Sequence, residues 1–265
     1  MTRTSLDFNH LKHAANGMLP AEVYRAIYET ALRVETGDIV EIGTAHGAAT
    51  IALARGLIQS PAHGRVHTVD KIKGGSRDAF GDLQKNIAII QDNFKTFDVA
   101  QDIDFHVGSS LEVALEFPSG MNIGLLMLDA DGAIDRDLKL FYDRVLPGAP
   151  IIIDDYQPNF VRFYNEGKTI RMDQKRRLTA LLLDYFVLKG YLKTEKIIGE
   201  TWFGIKPAGA PSISQINEED IYELYRKLIF ATGPGHSPIA ELIGKTTRRF
   251  PALNKALKKI YSKAR

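Results

Sequence analysis

The sequence predicts a doubly wound α/β fold: a seven-stranded sheet, mostly parallel with an antiparallel last strand, and helices on both faces. Three observations carry that prediction. Short apolar runs alternate with helix-length stretches from about residue 20 to residue 206. Several runs are continuous rather than alternating in polarity, as strands covered on both faces are. Gly and Pro punctuate the joins, at Gly37, Gly64, Pro118-Ser119-Gly120 and Pro147-Gly148.

In chain order, residues 21–34 read as a lead-in helix entered from Pro20. Five strands follow at 38–42, 65–69, 103–107, 123–128 and 150–153, separated by helices at 48–58, 78–97, 111–117 and 134–145. Residues 156–177 form a connection longer than is usual between a strand and a helix. An apolar helix spans 178–188 and stops before Gly190. The β-rich runs 191–198 and 201–206 flank Gly199-Glu200, so they form a hairpin and make the last strand antiparallel. A linker, Pro207-Ala208-Gly209-Ala210-Pro211, leads to one more helix at about 218–229, a Gly/Pro break at 233–235 and a basic tail. The expected division is a domain at 1–206, with a helical lead-in at 1–36, and an extension at 207–265.

The 265 residues include no cysteine, which excludes a disulfide scaffold, Cys-ligated zinc and a thiol nucleophile. No apolar run approaches the roughly 20 residues of a membrane-spanning helix. The first nine residues lack the apolar core of a secretory signal, so the cytoplasm is the expected location. The formal net charge of +2 conceals a separation. Residues 245–265 hold eight Lys and Arg and no acid; removing those eight from 34 leaves 26 bases against 32 acids, a charge of −6 on the rest. In the tail, Phe250, Leu253, Leu257, Ile260 and Tyr261 recur at helical spacing, with Lys255, Lys258, Lys259 and Lys263 opposite. Docking on the parent domain or on a second copy of the chain is the first reading of that helix. An anionic membrane surface is the second, and nucleic acid the third, since the acidic body lacks a positive field.

The first strand ends in Glu41-Ile42-Gly43 and runs through Thr44-Ala45-His46-Gly47 into a helix. A glycine there lets the backbone turn sharply and approach a ligand, and the helix N-terminus presents unpaired N–H groups. Such a loop holds a nucleoside cofactor at the carboxyl edge of an open sheet. Position 45 is Ala, so the dinucleotide fingerprint Gly-x-Gly-x-x-Gly is absent, and no Gly-Lys-Ser/Thr follows to make a phosphate loop. Asp70 closes the second strand, where a carboxylate accepts both ribose hydroxyls.

Here the sequence resembles the class I S-adenosylmethionine-dependent methyltransferases, over roughly residues 20–206. Their fold is a Rossmann-like sheet with the same final hairpin. Glu41-Ile-Gly43-Thr-Ala-His-Gly47 is similar to their first motif, and Asp70 falls where their ribose-binding acid sits. The resemblance implies that Gly43, Thr44 and Gly47 surround the methionine part of the cofactor while Glu41 orients its amino end. Gly108-Ser109-Ser110 matches the segment that reads the adenine; many relatives carry an acid where this chain has Ser109.

Asp129 ends the fourth strand and Asp154-Asp155 the fifth. In this fold those strands are neighbours about 4.8 Å apart, so the three carboxylates converge beside the cofactor. Like charges disfavour joint ionisation, and a hard divalent cation, Mg²⁺ or Ca²⁺, resolves the repulsion through all-oxygen ligation. This constellation resembles the metal-dependent small-molecule O-methyltransferases of the catechol, caffeoyl-CoA and macrocin types. The resemblance implies that Asp129, Asp154 and Asp155 hold Mg²⁺ and that the metal acidifies a hydroxyl on a small-molecule acceptor. Several relatives carry a Lys or His base three residues after the first metal Asp, and that position is Gly132 here. Asp131, Tyr156 and His46 are the remaining candidates for the base.

Two further features bear on ligands. The 156–177 connection carries Tyr156, Phe160, Phe163 and Tyr164 with Arg162, Lys168 and Arg171, a lining suited to a polyol, phenol or anionic acceptor. Lys71 to Arg77 is basic, which favours a rival reading as an NAD(P)-dependent oxidoreductase with a 2′-phosphate contact. A non-catalytic cofactor-binding module is the third class.

Overall fold

The computed structural model describes residues 6–72, 82–158, 162–166 and 169–232. Within 159–172 only the backbone of two strands is described. Phe160, Lys168, the 73–77 segment and the basic tail therefore lie outside the described residues, as do the side chains of Arg162, Phe163, Tyr164 and Arg171. Apart from residues 225–232, the elements below belong to the first of two units into which the chain divides, Met1–Leu224.

The elements run α1 (Phe8–Ala14), α2 (Ala21–Ala31), β1 (Asp38–Ile42), α3 (Ala48–Leu57), β2 (Val66–Asp70), α4 (Leu83–Thr96), β3 (Ile103–Val107), α5 (Ser110–Val113) and β4 (Ile123–Leu128). They continue with α6 (Ile134–Phe141), β5 (Pro150–Ile153), β6 (Arg162–Glu166), β7 (Thr169–Asp173), α7 (Lys175–Leu188), β8 (Lys193–Ile198), β9 (Thr201–Ile205) and α8 (Glu218–Thr232). Seven strands form one sheet in the order β3-β2-β1-β4-β5-β9-β8. β1 to β5 are parallel, and β9 pairs antiparallel with both β5 and β8. The chain leaves β1 in one direction toward β2 and β3, and resumes on its other side at β4. The gap between those departures is where open sheets of this type bind ligands.

Burial explains why the central strands read as unbroken apolar runs. All six residues of β4 are buried, because helices cover both faces of the sheet. On one face, Ile39, Leu125, Met127, Ile152 and Phe203 join Leu11, Tyr24, Ile27, Ile51, Leu53, Ile90 and Phe94 in a single core contributed by α1 to α4. Polar side chains set the helix starts. Asp7 caps α1 by accepting from Asn9 and His10 N–H at 2.9 and 3.1 Å; Asp82 caps α4 by accepting from Gln84 N–H at 2.7 Å.

Three elements differ from the sequence expectation. Residues 111–117 give only the single helical turn of α5, since Pro118 and Gly120 cut it short. The 156–177 connection contains the β6–β7 hairpin, whose pairing of Glu166 with Thr169 brackets two residues. α7 starts at Lys175 rather than 178, because three consecutive cations hide its first turn from an apolar periodicity. Among the described residues, no helix is long and apolar enough to cross a membrane.

α5 and α6 are tied by a buried acid. Asp137 is 2% exposed. It accepts from Ser110 Oγ at 2.6 Å and from Arg136 Nε and Nη2 at 2.9 and 2.8 Å. Replacing Arg136 with alanine leaves that carboxylate buried without its counter-charge, which costs about 3 kcal/mol. Urea unfolding of Arg136→Ala should register that loss, and a change under about 1 kcal/mol would show the pair to be dispensable.

Candidate active site

The carboxyl ends of β1, β2, β4 and β5 are stitched into one edge. Gly43 N–H donates to Val69 O at 2.9 Å, Asp129 N–H to Ile42 O at 2.8 Å, and Asp154 N–H to Leu128 O at 3.0 Å. Asp129 and Asp154 thus follow directly from the registered pair Leu128–Ile153. Close approach makes the glycine at 43 obligatory: its φ is +106°, and a Cβ there would sit 1.9 Å from the carbonyl oxygen of Asp129.

Glu41 points into the core beneath the loop and is fully buried. Thr50 and Thr68 hydroxyls both donate to its Oε2 at 2.5 Å. Thr68 has spent its one proton there, so in the 2.6 Å contact between Thr44 and Thr68 hydroxyls the donor is Thr44. The other oxygen, Oε1, is buried and accepts no hydrogen bond. Burial pushes the Glu41 carboxyl up to about 7, against the two hydroxyls that favour its charge, and Asp70 adds to the rise.

Asp70 is positioned by backbone donors. Its Oδ2 accepts from Ala45 N–H at 3.1 Å and its Oδ1 from Ile72 N–H at 2.8 Å. Both donors sit at positive φ, +48° and +52°, so the glycine loop and the turn after β2 bend toward the carboxylate. The residues present fit the expected cofactor: a buried acid with one oxygen that no described residue reaches, an acid at the next strand end on the ribose side, and a tight loop between them. Gly47 precedes α3, and the His46 carbonyl accepts from Asn93 Nδ2 at 2.9 Å, fixing the loop to α4. Ser109 caps α5 in a reciprocal pair with Glu112, donating from Oγ to Glu112 Oε2 at 2.6 Å, and Ser110 is committed to Asp137.

Asp129, Asp154 and Asp155 come together as the sequence implies, each offering an oxygen within 4.8 Å of the others. Asp155 has φ +61°, a left-handed backbone that aspartate tolerates and that re-aims its side chain. Burial pushes Asp129 up to about 6 and Asp154 up to about 7. A carboxyl titrating near neutrality can take a proton from a hydroxyl.

What the sequence did not reveal is that cations already stand among these acids. Lys175 Nζ lies 3.3 Å from Asp129 Oδ1 and pairs with Asp155 Oδ2. Arg176 Nε lies 3.2 Å from Asp155 Oδ1 and 2.6 Å from Glu200 Oε2. Thr201 Oγ1 donates to Asp154 Oδ1 at 2.5 Å. Burial lowers the Lys175 pKa, but Asp129 and Asp155 outweigh it and hold the ammonium charged well above its ordinary range. Each carboxylate thus has at least one oxygen occupied, and Asp155 has both. As it stands, this donor set does not fit a divalent metal.

Two other candidates for a base, Asp131 and Tyr156, have partners of their own. Asp131 accepts from Arg136 Nη1 at 2.7 Å and Ala133 N–H at 3.2 Å. Burial raises its pKa, but those two partners prevail and leave it below the ordinary range. Tyr156 donates to Asp184 Oδ1 at 3.1 Å, toward α7. Tyr24 on α2 was not legible in the sequence. Its hydroxyl accepts from Leu19 N–H at 3.1 Å, and burial pushes its pKa up to about 12, with Asp129, Asp154 and Glu41 adding to the rise.

Comparison with known proteins places this geometry. Residues 40–156 match the family model described as a methyltransferase domain. Among solved structures, the O-methyltransferase TomG of Streptomyces achromogenes, determined in complex with SAM, is 14% identical, with a TM-score of 0.54 over 77% of this chain and 91% of that one. An O-methyltransferase of Bacillus cereus in complex with SAH is 14% identical, with a TM-score of 0.54 over 77% and 94%. The SAH-bound methyltransferase PaMTH1 of Podospora anserina is 14% identical, with a TM-score of 0.55 over 76% and 88%. Comparison with curated protein sequences gives no match. The glycine loop, the acid closing β2 and the acidic strand ends all fall within the stretch that matches a methyltransferase domain, and the fold is the one shared with these methyltransferase structures.

Proposed function

We propose that the chain is an S-adenosylmethionine-dependent methyltransferase that acts on a hydroxyl of a small molecule. One observation carries the cofactor: the buried Oε1 of Glu41 beneath the glycine loop, which accepts no hydrogen bond from any described residue. When bound, the cofactor supplies an electrophilic methyl group on a sulfonium. The chain's part is to bind and orient it: Glu41 takes the ammonium, Asp70 the ribose, and the loop from Gly43 to Gly47 closes around the methionine part. The likeness to the O-methyltransferases of S. achromogenes and B. cereus supports an oxygen acceptor, as do the clustered carboxylates at the adjoining strand ends, which can receive a hydroxyl proton. Mg²⁺ was the expected counter-charge for those acids. To reach them it would have to displace Lys175.

Calorimetry distinguishes this function from its rivals. S-Adenosylhomocysteine should bind the chain with one-to-one stoichiometry, NAD⁺ and NADP⁺ should not, and Asp70→Ala should weaken the first by about tenfold or more. Binding of a nicotinamide dinucleotide in place of S-adenosylhomocysteine would overturn the proposal. Methyl transfer from labelled cofactor across a panel of catechols, polyols and sugars then separates an enzyme from a binding module.

A further inference from the structure

We infer that Lys175 supplies the positive charge of the acceptor site, so that methyl transfer by this chain needs no divalent metal. The inference rests on the methyltransferase reading and deepens it. Its first ground is occupancy. Lys175 Nζ lies against Asp129 Oδ1 and Asp155 Oδ2, on two of the three acids that converge at this edge. Arg176 takes the remaining oxygen of Asp155, and Thr201 takes one of Asp154. A divalent ion bound to the same oxygens, at the roughly 2.1–2.5 Å such ions require, would meet two fixed cations at once.

The second ground is the root of the side chain. Lys175 is seated by backbone and stem, which a flexible tip alone would not be. A Cβ at Gly132 would fall 2.8 Å from the Lys175 carbonyl oxygen, 3.0 Å from its Cγ and 3.1 Å from Thr179 Oγ1. Thr179 in turn donates to the Lys175 carbonyl at 3.1 Å, and Lys175 N–H donates to Asp173 Oδ1 at 2.9 Å. The absence of a side chain at 132 is what admits the lysine stem over β4's end. Gly132 has φ +83°, so both the space and the backbone there exclude a bulky residue.

The third ground is electrostatic cost. Lys175, Arg176 and Arg177 fill the first turn of α7, which contains no acid. Cations at a helix N-terminus oppose the helix dipole, typically by some tenths of a kcal/mol each. That placement is sustained by Asp129, Asp155 and Glu200, the acids these side chains meet. Two side-chain cations from one helix turn thus neutralise two strand ends and face the acceptor.

The test is a Mn²⁺ titration followed by electron paramagnetic resonance on the full chain saturated with S-adenosylhomocysteine, whose binding also reports folding. The wild type should leave Mn²⁺ free up to millimolar concentration. Lys175→Ala and Lys175→Met should each gain a Mn²⁺ site at least tenfold tighter, and adding Asp155→Ala should remove it. With any hydroxyl acceptor that the chain methylates, wild-type turnover should survive exhaustive chelation. Micromolar Mn²⁺ binding by the wild type overturns the inference, with or without folded variants, and so does a lysine variant that binds S-adenosylhomocysteine but gains no Mn²⁺ site. Failure of the wild type to bind S-adenosylhomocysteine would sink the methyltransferase reading instead.

Discussion

Alanine at position 43 should cost the protein roughly 4 kcal/mol or more and abolish S-adenosylhomocysteine binding. Two effects add. A side chain at φ +106° is strained, by roughly 1–3 kcal/mol. The larger effect is steric: the new Cβ would lie 1.9 Å from the Asp129 carbonyl oxygen and 2.6 Å from its carbon, both backbone atoms. Neither can yield without parting β1 from β4, and their register continues into the bond from Asp129 N–H to Ile42 O. Urea denaturation of Gly43→Ala measures the stability, and calorimetry the ligand. Unfolding within about 1 kcal/mol of wild type would show that the strand ends are pliable.

Glu41→Gln should move two quantities in opposite directions. In the ligand-free chain the Glu41 carboxyl sits near 7, against an ordinary value of 4.5. Between those values the folded state holds more protons than the unfolded state. Stability therefore falls as pH rises through that window, and for this group it is flat above it. The accumulated penalty is roughly 3 kcal/mol at pH 8. Glutamine removes the charge while its carbonyl can still accept from the threonines, so the ligand-free variant should be more stable than wild type at pH 8. Its stability should also depend less on pH between 5 and 7. S-Adenosylhomocysteine should bind about tenfold to a hundredfold more weakly, because a charge-assisted bond to the ammonium, worth about 1.5–3 kcal/mol, is lost. Thermal melts over pH 5–8 and calorimetry report the two effects separately. If the variant binds as tightly as wild type, the free oxygen of Glu41 has another purpose.

The frame of this molecule was written in local pattern. Continuous apolar runs such as 123–128 name buried parallel strands, and Gly199-Glu200 between β-rich runs names the hairpin that reverses the last one. Glu41, Asp70, Asp129, Asp154 and Asp155 were legible because each closes or lies within such a run, and strand order then carries them to one edge. Lys175, Arg176, Thr201 and Tyr24 were not. Each reaches the site from an element whose approach is set by tertiary packing, and no local motif marks any of them as a site residue. A stretch of three cations before an apolar helix reads as solvated surface until acids are found opposite it. The β6–β7 hairpin had a local signal, two five-residue runs around Gly167-Lys168, but mixed polarity along both runs concealed it.

Because β9 runs against its neighbour β5, its first residues, not its last, reach the edge where the parallel strands end. The two-residue turn before it is therefore more than a connector. Glu200 accepts from Tyr156 N–H through its carbonyl at 2.7 Å and from Arg176 through its side chain, and Thr201 holds Asp154. Surface turns ordinarily absorb insertions and deletions with little harm. This one has no such latitude: a single added residue would shift three anchors of the acidic cluster out of step. New segments spliced into this fold should leave 199–201 at its present length.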